Sequence, residues 1–185
     1  MERDPIYLDH NATTPLLPEV VEAMLPYLRE HFGNPSSGHV FGLRARRAVD
    51  EARARVAALI GAEPDEIVFT SGGTEANNLA LRGVLEATPQ RRNVVTTVIE
   101  HPATVQPCAW LEAQGHRITR LPVDAEGQAR VDAADFGPDT ALLSVMHANN
   151  ETGVLQPVAA LAAAARAAGA RVHTDAAQSL GKVPV

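Results

Sequence analysis

The feature that most constrains this chain is a repeated alternation of short apolar runs with helix-like stretches. Five runs recur: "EIVFT", "NVVTTVI", "HRITRLPV", "TALLSVMH" and "ARVHTD". Each has the length of a buried strand. Segments 74–85, 102–114 and 157–168 between them carry helical character, long enough to cross over between parallel strands. The expected fold is α/β, three layers (α/β/α) around a mostly parallel sheet. "DAEGQARVDAADFGPDT" is turn-rich and has room for a short helix only. Upstream, Pro18 opens a helix over "EVVEAMLPYLREHF", with a kink expected at Pro26. In "LRARRAVDEARARVAALIG", Ala45, Ala48, Val49, Ala52, Val56, Leu59 and Ile60 form one apolar face, and the helix should stop at Gly61.

Composition narrows the function classes. A net charge of -6 argues against nucleic acid and anionic membrane as partners. The Ala-rich segment 158–170 is broken by Arg166, so no membrane span is expected, and the mixed-charge start is not a secretion signal. A single cysteine, Cys108, allows no internal disulfide and no cysteine-cluster metal site. These features fit a soluble, cytoplasmic protein, with no metal expected.

In sheets of this kind ligands bind beyond the carboxyl ends of the strands. Four of the five runs lead into polar clusters there. After "EIVFT" comes "SGGTEANN", where Gly72 and Gly73 allow a tight turn and Thr74 can cap the following helix. Such a helix start suits a phosphate, although a glycine turn with a capped helix explains the same residues. It matches neither the dinucleotide fingerprint nor the P-loop. After "NVVTTVI", His101 precedes Pro102 on an exposed turn, where it could stack on a planar ligand or carry protons. "ANNETG" brings Asn149 and Asn150, and "DAAQ" brings Asp175 and Gln178. An Asx-rich turn and a helix-capping carboxylate are the plain alternatives for these two.

Together the clusters suit one ligand. It would carry a phosphate for Gly73 and Thr74, a flat ring for His101, a ring cation for Asp175 and a ring oxygen for Asn150 or Gln178. Pyridoxal 5'-phosphate has all four, and an ionised aspartate beside its pyridine nitrogen keeps the ring an electron sink.

The segments "YLDHNATTP", "GNPSS", "EIVFTSGGTEANNLAL", "EHPA", "MHANNETGVLQP" and "VHTDAAQSLGK" resemble, in order and spacing, the NifS/IscS-like cysteine desulfurases, class-V members of the aspartate aminotransferase-like fold type I. The resemblance runs along essentially the whole chain. It implies a pyridoxal-phosphate enzyme that converts L-cysteine to L-alanine and leaves the sulfur as a persulfide on an enzyme cysteine. Sulfur-acceptor or scaffold proteins, iron-sulfur cluster assembly and a homodimer are implied in turn. By position, Gly73 and Thr74 resemble the phosphate-binding pair, and His101 the ring-stacking catalytic histidine. Asn150 and Gln178 resemble the residues near the ring oxygen, and Asp175 the pyridinium partner. Residues 1–15 resemble an N-terminal arm whose Asn11, Ala12 and Thr13 border the substrate pocket, and 16–185 the first part of the large domain. His10 stands where tyrosine is common, and the position after the histidine, held here by Pro102, varies among members.

Lys182 is the sole lysine. In the family the covalent lysine belongs to a Ser-x-His-Lys motif beyond the segment matching "DAAQ", and the nucleophilic cysteine lies further on. Neither Lys182 nor Cys108 matches these positions, so the chain is expected to lack both groups, together with the substrate-carboxylate arginine and the small domain, and to be inactive alone. A selenocysteine lyase, another class-V enzyme, or a non-catalytic interaction module are the alternatives.

Overall fold

A computed structural model describes residues 5–183, which group into two compact units, one ending at Phe69 and the other beginning at Thr70.

The first unit is helical. Helix α1 spans Pro18–Arg29, opens with proline in its first turn and continues through Pro26. There the lost N–H costs one backbone bond, and the Glu30 and His31 N–H groups close the helix end on the Pro26 carbonyl. Helix α2 spans Val40–Ile60 and ends at Gly61, whose φ of 67° is the left-handed conformation that glycine adopts without a steric penalty. The apolar face expected on α2 is only partly covered. Ala45 and Ala57 are buried and Val49 and Val56 half-buried, while Ala52, Leu59 and Ile60 are exposed. Two helices cannot enclose a core, and an apolar groove of about 610 Å³ lies between α1 and α2.

"EIVFT" departs from expectation. Ile67 is extended, but residues 67–70 form no strand and pair with none among the described residues, and Val68 is 66% exposed. Its backbone groups therefore lack the ladder that defines a strand.

The second unit is the α/β layer structure. Its elements run α3 (Gly73–Ala87), β1 (Asn93–Thr97), α4 (Pro102–Ala113), β2 (Arg117–Leu121), β3 (Thr140–Ser144), α5 (Val158–Ala167) and β4 (Arg171–His173). A single 3-10 turn at Val131–Ala133 is all the helix in the turn-rich stretch between β2 and β3. The sheet is fully parallel, in the order β2-β1-β3-β4. Strands β1 and β3 are buried along their whole length, as a parallel sheet with covered faces requires.

Alternation along these strands builds two cores. Val94 and Leu142 pack with Leu81, Leu85, Cys108 and Leu111 of α3 and α4. Val95 and Leu143 pack with Leu161 and Ala165 of α5. Neighbouring residues of one strand thus feed opposite faces, which gives the three layers.

The chain leaves β1 and β3 in opposite directions, so their carboxyl ends flank the point where strand order reverses. That is where an open sheet of this type leaves a crevice. At the opposite edge Arg91 donates from Nη1 to the Thr140 and Gly169 carbonyls at 2.9 and 2.7 Å. Tight turns at Gly115 and Gly169, both with positive φ, lead into β2 and β4 there.

Candidate active site

A cavity of about 190 Å³ opens at the carboxyl ends of the strands, lined by Gly73, Thr74, His101, Ala103, Met146, Ala148, Asn150, Asp175, Ala177 and Gln178. All six residues expected to hold the cofactor belong to this one lining. They come from four separated segments: the start of α3, the start of α4, the turn after β3 and the turn after β4.

The phosphate end is the amino terminus of α3. Gly72, not Thr74, is the N-cap, and no side chain caps the helix. Thr74 sits inside the first turn instead, because the double glycine lets the backbone enter the helix one residue before it. A Cβ added at Gly72 or Gly73 would meet no heavy atom within 4 Å, so the backbone there faces open space. First-turn N–H groups have no helical acceptor, and the helix dipole favours an anion beside them. The Glu75 carboxylate is drawn back onto the Ser71 N–H and hydroxyl, both at 2.6 Å, which hold its pKa below the usual range.

His101 is the N-cap of α4, and its Nδ1 accepts the Ala103 N–H at 3.1 Å. In a neutral ring that contact leaves the proton on Nε2. Pro102 at the first helical position has no N–H to satisfy, so it fits directly after the histidine.

The Asp175 carboxylate is gripped on both oxygens. Oδ2 accepts from Asn77 Nδ2 at 2.8 Å, and Oδ1 accepts the Ala177 N–H at 3.0 Å. Gln178 lies in the following turn, which is pinned by the Ser179 hydroxyl at 2.9 Å from His147 Nδ1. Asn149 and Asn150 divide the work of their turn. Asn149 is buried, its Oδ1 accepting from the Glu151 and Thr152 N–H groups and its Nδ2 donating to the Ile99 carbonyl. It is the Asx turn, and Asn150 reaches the cavity.

Two buried polar residues beside the cavity lie inside the segments "SGGTEANN" and "EHPA" but are not singled out there. Asn77 is 3% exposed and Glu100 is 8% exposed. Burial pushes the Glu100 carboxyl up to about 7, the Thr97 hydroxyl and Met146 N–H oppose the rise, and the Asp175 charge adds to it. Burial likewise lowers His173, with Asp175 acting against it. The only signal in the sequence was position, since Glu100 directly precedes His101 and Asn77 lies one helical turn after Gly73.

Neither reactive side chain that the sequence singled out is at the cavity. Lys182 is exposed in the turn after Asp175, with its N–H on the Ser179 carbonyl. Cys108 is buried in α4 at 1% exposure, and burial pushes its thiol up to about 11. Asn11, Ala12 and Thr13 belong to the first unit, in a turn where the Ala12 and Thr13 N–H groups meet the Asp9 carbonyl. Tyr7 closes that turn by donating its hydroxyl to the Asp9 and Thr13 carbonyls. Among the described residues there is no cluster suited to a metal ion, and no helix long and apolar enough to cross a membrane.

The donor set fits pyridoxal 5'-phosphate. It offers an open glycine backbone at a helix start for a phosphate, an imidazole, a fixed carboxylate and two amides, all on one concave surface.

Known proteins agree with this fold. Cysteine desulfurase 2 of Trichormus variabilis is 52% identical over 183 residues, covering 97% of this chain and 46% of that protein. A solved NifS-like protein superposes with a TM-score of 0.93 at 38% identity, over 97% of this chain and 50% of its own. SspA, solved in complex with cysteine, gives 0.91 at 36% identity, over 97% and 52%. The chain spans about half the length of the curated relatives it matches. The class-V aminotransferase model matches residues 6–185, and the chain belongs to that family.

Proposed function

We propose that this chain supplies the cofactor-cradling part of a pyridoxal-phosphate-dependent cysteine desulfurase. One observation carries the reading: Gly73, Thr74, His101, Asn150, Asp175 and Gln178, from four distant segments, line a single cavity. Relatives named cysteine desulfurase, and a cysteine complex of SspA, point to L-cysteine as substrate.

In this reading the first turn of α3 binds the phosphate through its open N–H groups and the Thr74 hydroxyl. Asp175 faces the ring nitrogen as a carboxylate already anchored by Asn77 and the Ala177 N–H. Asn150 and Gln178 would hold the ring oxygen and His101 would stack on the ring, with its Nε2 available to hold or move a proton. Bound there, the cofactor supplies an electron sink for carbanion chemistry on an amino acid. The net reaction breaks the C–S bond of cysteine, moves one sulfur onto a cysteine thiol as a persulfide, and leaves a proton on the β-carbon as alanine. Cys108, buried and with a thiol pushed up to about 11, is not that acceptor. The reading therefore assigns the acceptor thiol and the covalent lysine to residues outside this sequence. A homodimer and a protein sulfur acceptor, as in an iron-sulfur cluster or other sulfur-transfer pathway, belong to the same reading. So does a substrate-side role for Asn11, Ala12 and Thr13.

The test is a pyridoxal 5'-phosphate titration of the protein carrying this chain, followed by absorbance, with alanine release from cysteine measured in parallel. Saturable binding that Asp175→Ala weakens by tenfold or more, roughly the loss of a charged hydrogen bond, supports the proposal. No binding by the parent protein, or normal turnover in Asp175→Ala, overturns it.

A further inference from the structure

Asn77 is not among the residues that line the cavity, yet its side chain donates to the carboxylate expected to meet the ring nitrogen. We propose that Asn77, fixed in turn by Thr104, is a positioning residue for Asp175, and that this bridge sets the site's preference for a ring with a protonated nitrogen. The inference rests on the cofactor reading above.

The geometry supports a positioning role in three ways. First, the bridge runs from a buried Asn77–Thr104 contact to the half-buried Asp175 and spans three elements. Asn77 Nδ2, on α3, donates to Asp175 Oδ2 at 2.8 Å and to Thr104 Oγ1, on α4, at 3.2 Å. Asn77 and Thr104 are 3% and 0% exposed, so the amide itself is shielded from water on the Thr104 side. Second, the chemistry fixes the orientation of the amide. A carboxylate only accepts, so the atom facing it must be the NH₂ group, and both of its hydrogens then have acceptors. Third, both Asp175 oxygens are held, Oδ2 by Asn77 and Oδ1 by the Ala177 N–H. Rotation of the carboxylate would break one of the two, and a carboxylate has about four acceptor sites in all, more than these two donors use.

Helix α3 would then serve the ligand twice. Its first turn meets the phosphate, and one turn further on Asn77 holds the group that meets the ring. The spacing of four residues from Gly73 to Asn77 couples phosphate and ring positions through one rigid element.

A purely structural role, satisfying a buried amide, would affect stability without affecting ligand choice. Equilibrium binding of pyridoxal 5'-phosphate and of its 1-deaza analogue, in which carbon replaces the ring nitrogen, separates the two. The protein carrying this chain is compared with Asn77→Leu, Asn77→Ala and Thr104→Val. The parent should prefer the nitrogen ring by about tenfold or more, as expected for a hydrogen bond to a charged group. The Asn77 variants should bring that ratio to within about threefold, chiefly by weakening the nitrogen ligand, and Thr104→Val should fall between. An undiminished ratio in the folded variants overturns the Asn77 assignment and leaves the cofactor reading standing. If both Asn77 variants fail to fold, Thr104→Val decides, since an unchanged ratio there removes the bridge. A parent ratio near one removes Asp175 as the ring partner, and both readings fall together.

Discussion

Both carboxylate oxygens of Glu100 accept the Met146 N–H at 3.1 Å, which ties the turn after β1 to the end of β3 beneath the residues that line the cavity. Thr97 completes the tie by donating its hydroxyl to Oε1 at 2.6 Å. The acidic group that joins the two central strands is thus the immediate neighbour of His101 in the chain.

Burial of this carboxyl, which outweighs the opposing Thr97 and Met146 bonds, predicts a pH signature. The Glu100 carboxyl is raised from 4.5 to about 7, so the folded state keeps its proton where the unfolded state releases it. Its contribution is most favourable below pH 4.5 and is lost as pH rises through 7, at a cost of roughly 3 kcal/mol at most. His173, lowered by burial, has the opposite sign, since its contribution is lost as pH falls below 6.5. Glu100→Gln isolates the first effect. In urea unfolding between pH 5 and 8, the variant should gain on the parent as pH rises. A stability gap independent of pH would refute the assignment.

His101 should matter for proton movement more than for anchoring. In the full-length protein, His101→Ala is expected to slow turnover by about 10²- to 10⁴-fold, the range for removal of a general acid or base. Pyridoxal 5'-phosphate affinity should change far less, because the phosphate end at α3 is untouched. Loss of all cofactor binding in this variant would show that the histidine is an anchor instead.

Gly73→Ala separates folding from binding. No protein atom lies within 4 Å of the added Cβ, so stability should move by less than about 1 kcal/mol. The same methyl group would stand where the backbone meets a phosphate, so pyridoxal 5'-phosphate affinity should fall. Thermal unfolding and titration of one preparation check both, and unchanged affinity would displace the phosphate from this turn.

Cys108 should be silent in the native protein. A thiol at 1% exposure, packed among Leu81, Leu111 and Ile118, should react with Ellman's reagent only on unfolding. Cys108→Ser should cost about 1–3 kcal/mol by placing a hydroxyl in that apolar cluster. Rapid labelling of the folded protein would contradict the burial.

Much of this architecture was legible in the one-dimensional pattern. Strands β1 to β4 fall within the expected apolar runs, and α3, α4 and α5 begin and end within two residues of their expected bounds. A strand buried on both faces cannot avoid being apolar along its length, which is why β1 and β3 were easy to find. "EIVFT" has the same composition, but becoming a strand also needs a hydrogen-bonding neighbour, and that is not written into the run itself. The cavity's own residues were legible because polar side chains after strand ends have few other duties. Asn77 and Glu100 were not, since each is a polar residue buried by tertiary packing, and helical periodicity gives no sign of which carboxylate an amide will meet. The cap of α3 was misplaced by two residues because glycine enters a helix without needing a side-chain acceptor.

The sheet divides its labour by edge. Every residue assigned here to the cofactor lies at one rim, while the other rim is held by Arg91 bridging two carbonyls and by the glycine turns ahead of β2 and β4. No residue assigned to the cofactor lies in the loops on that far side, so a lengthened connection at Gly115 is expected to leave pyridoxal 5'-phosphate binding unchanged. The molecule is built so that its handle and its tool never share a residue.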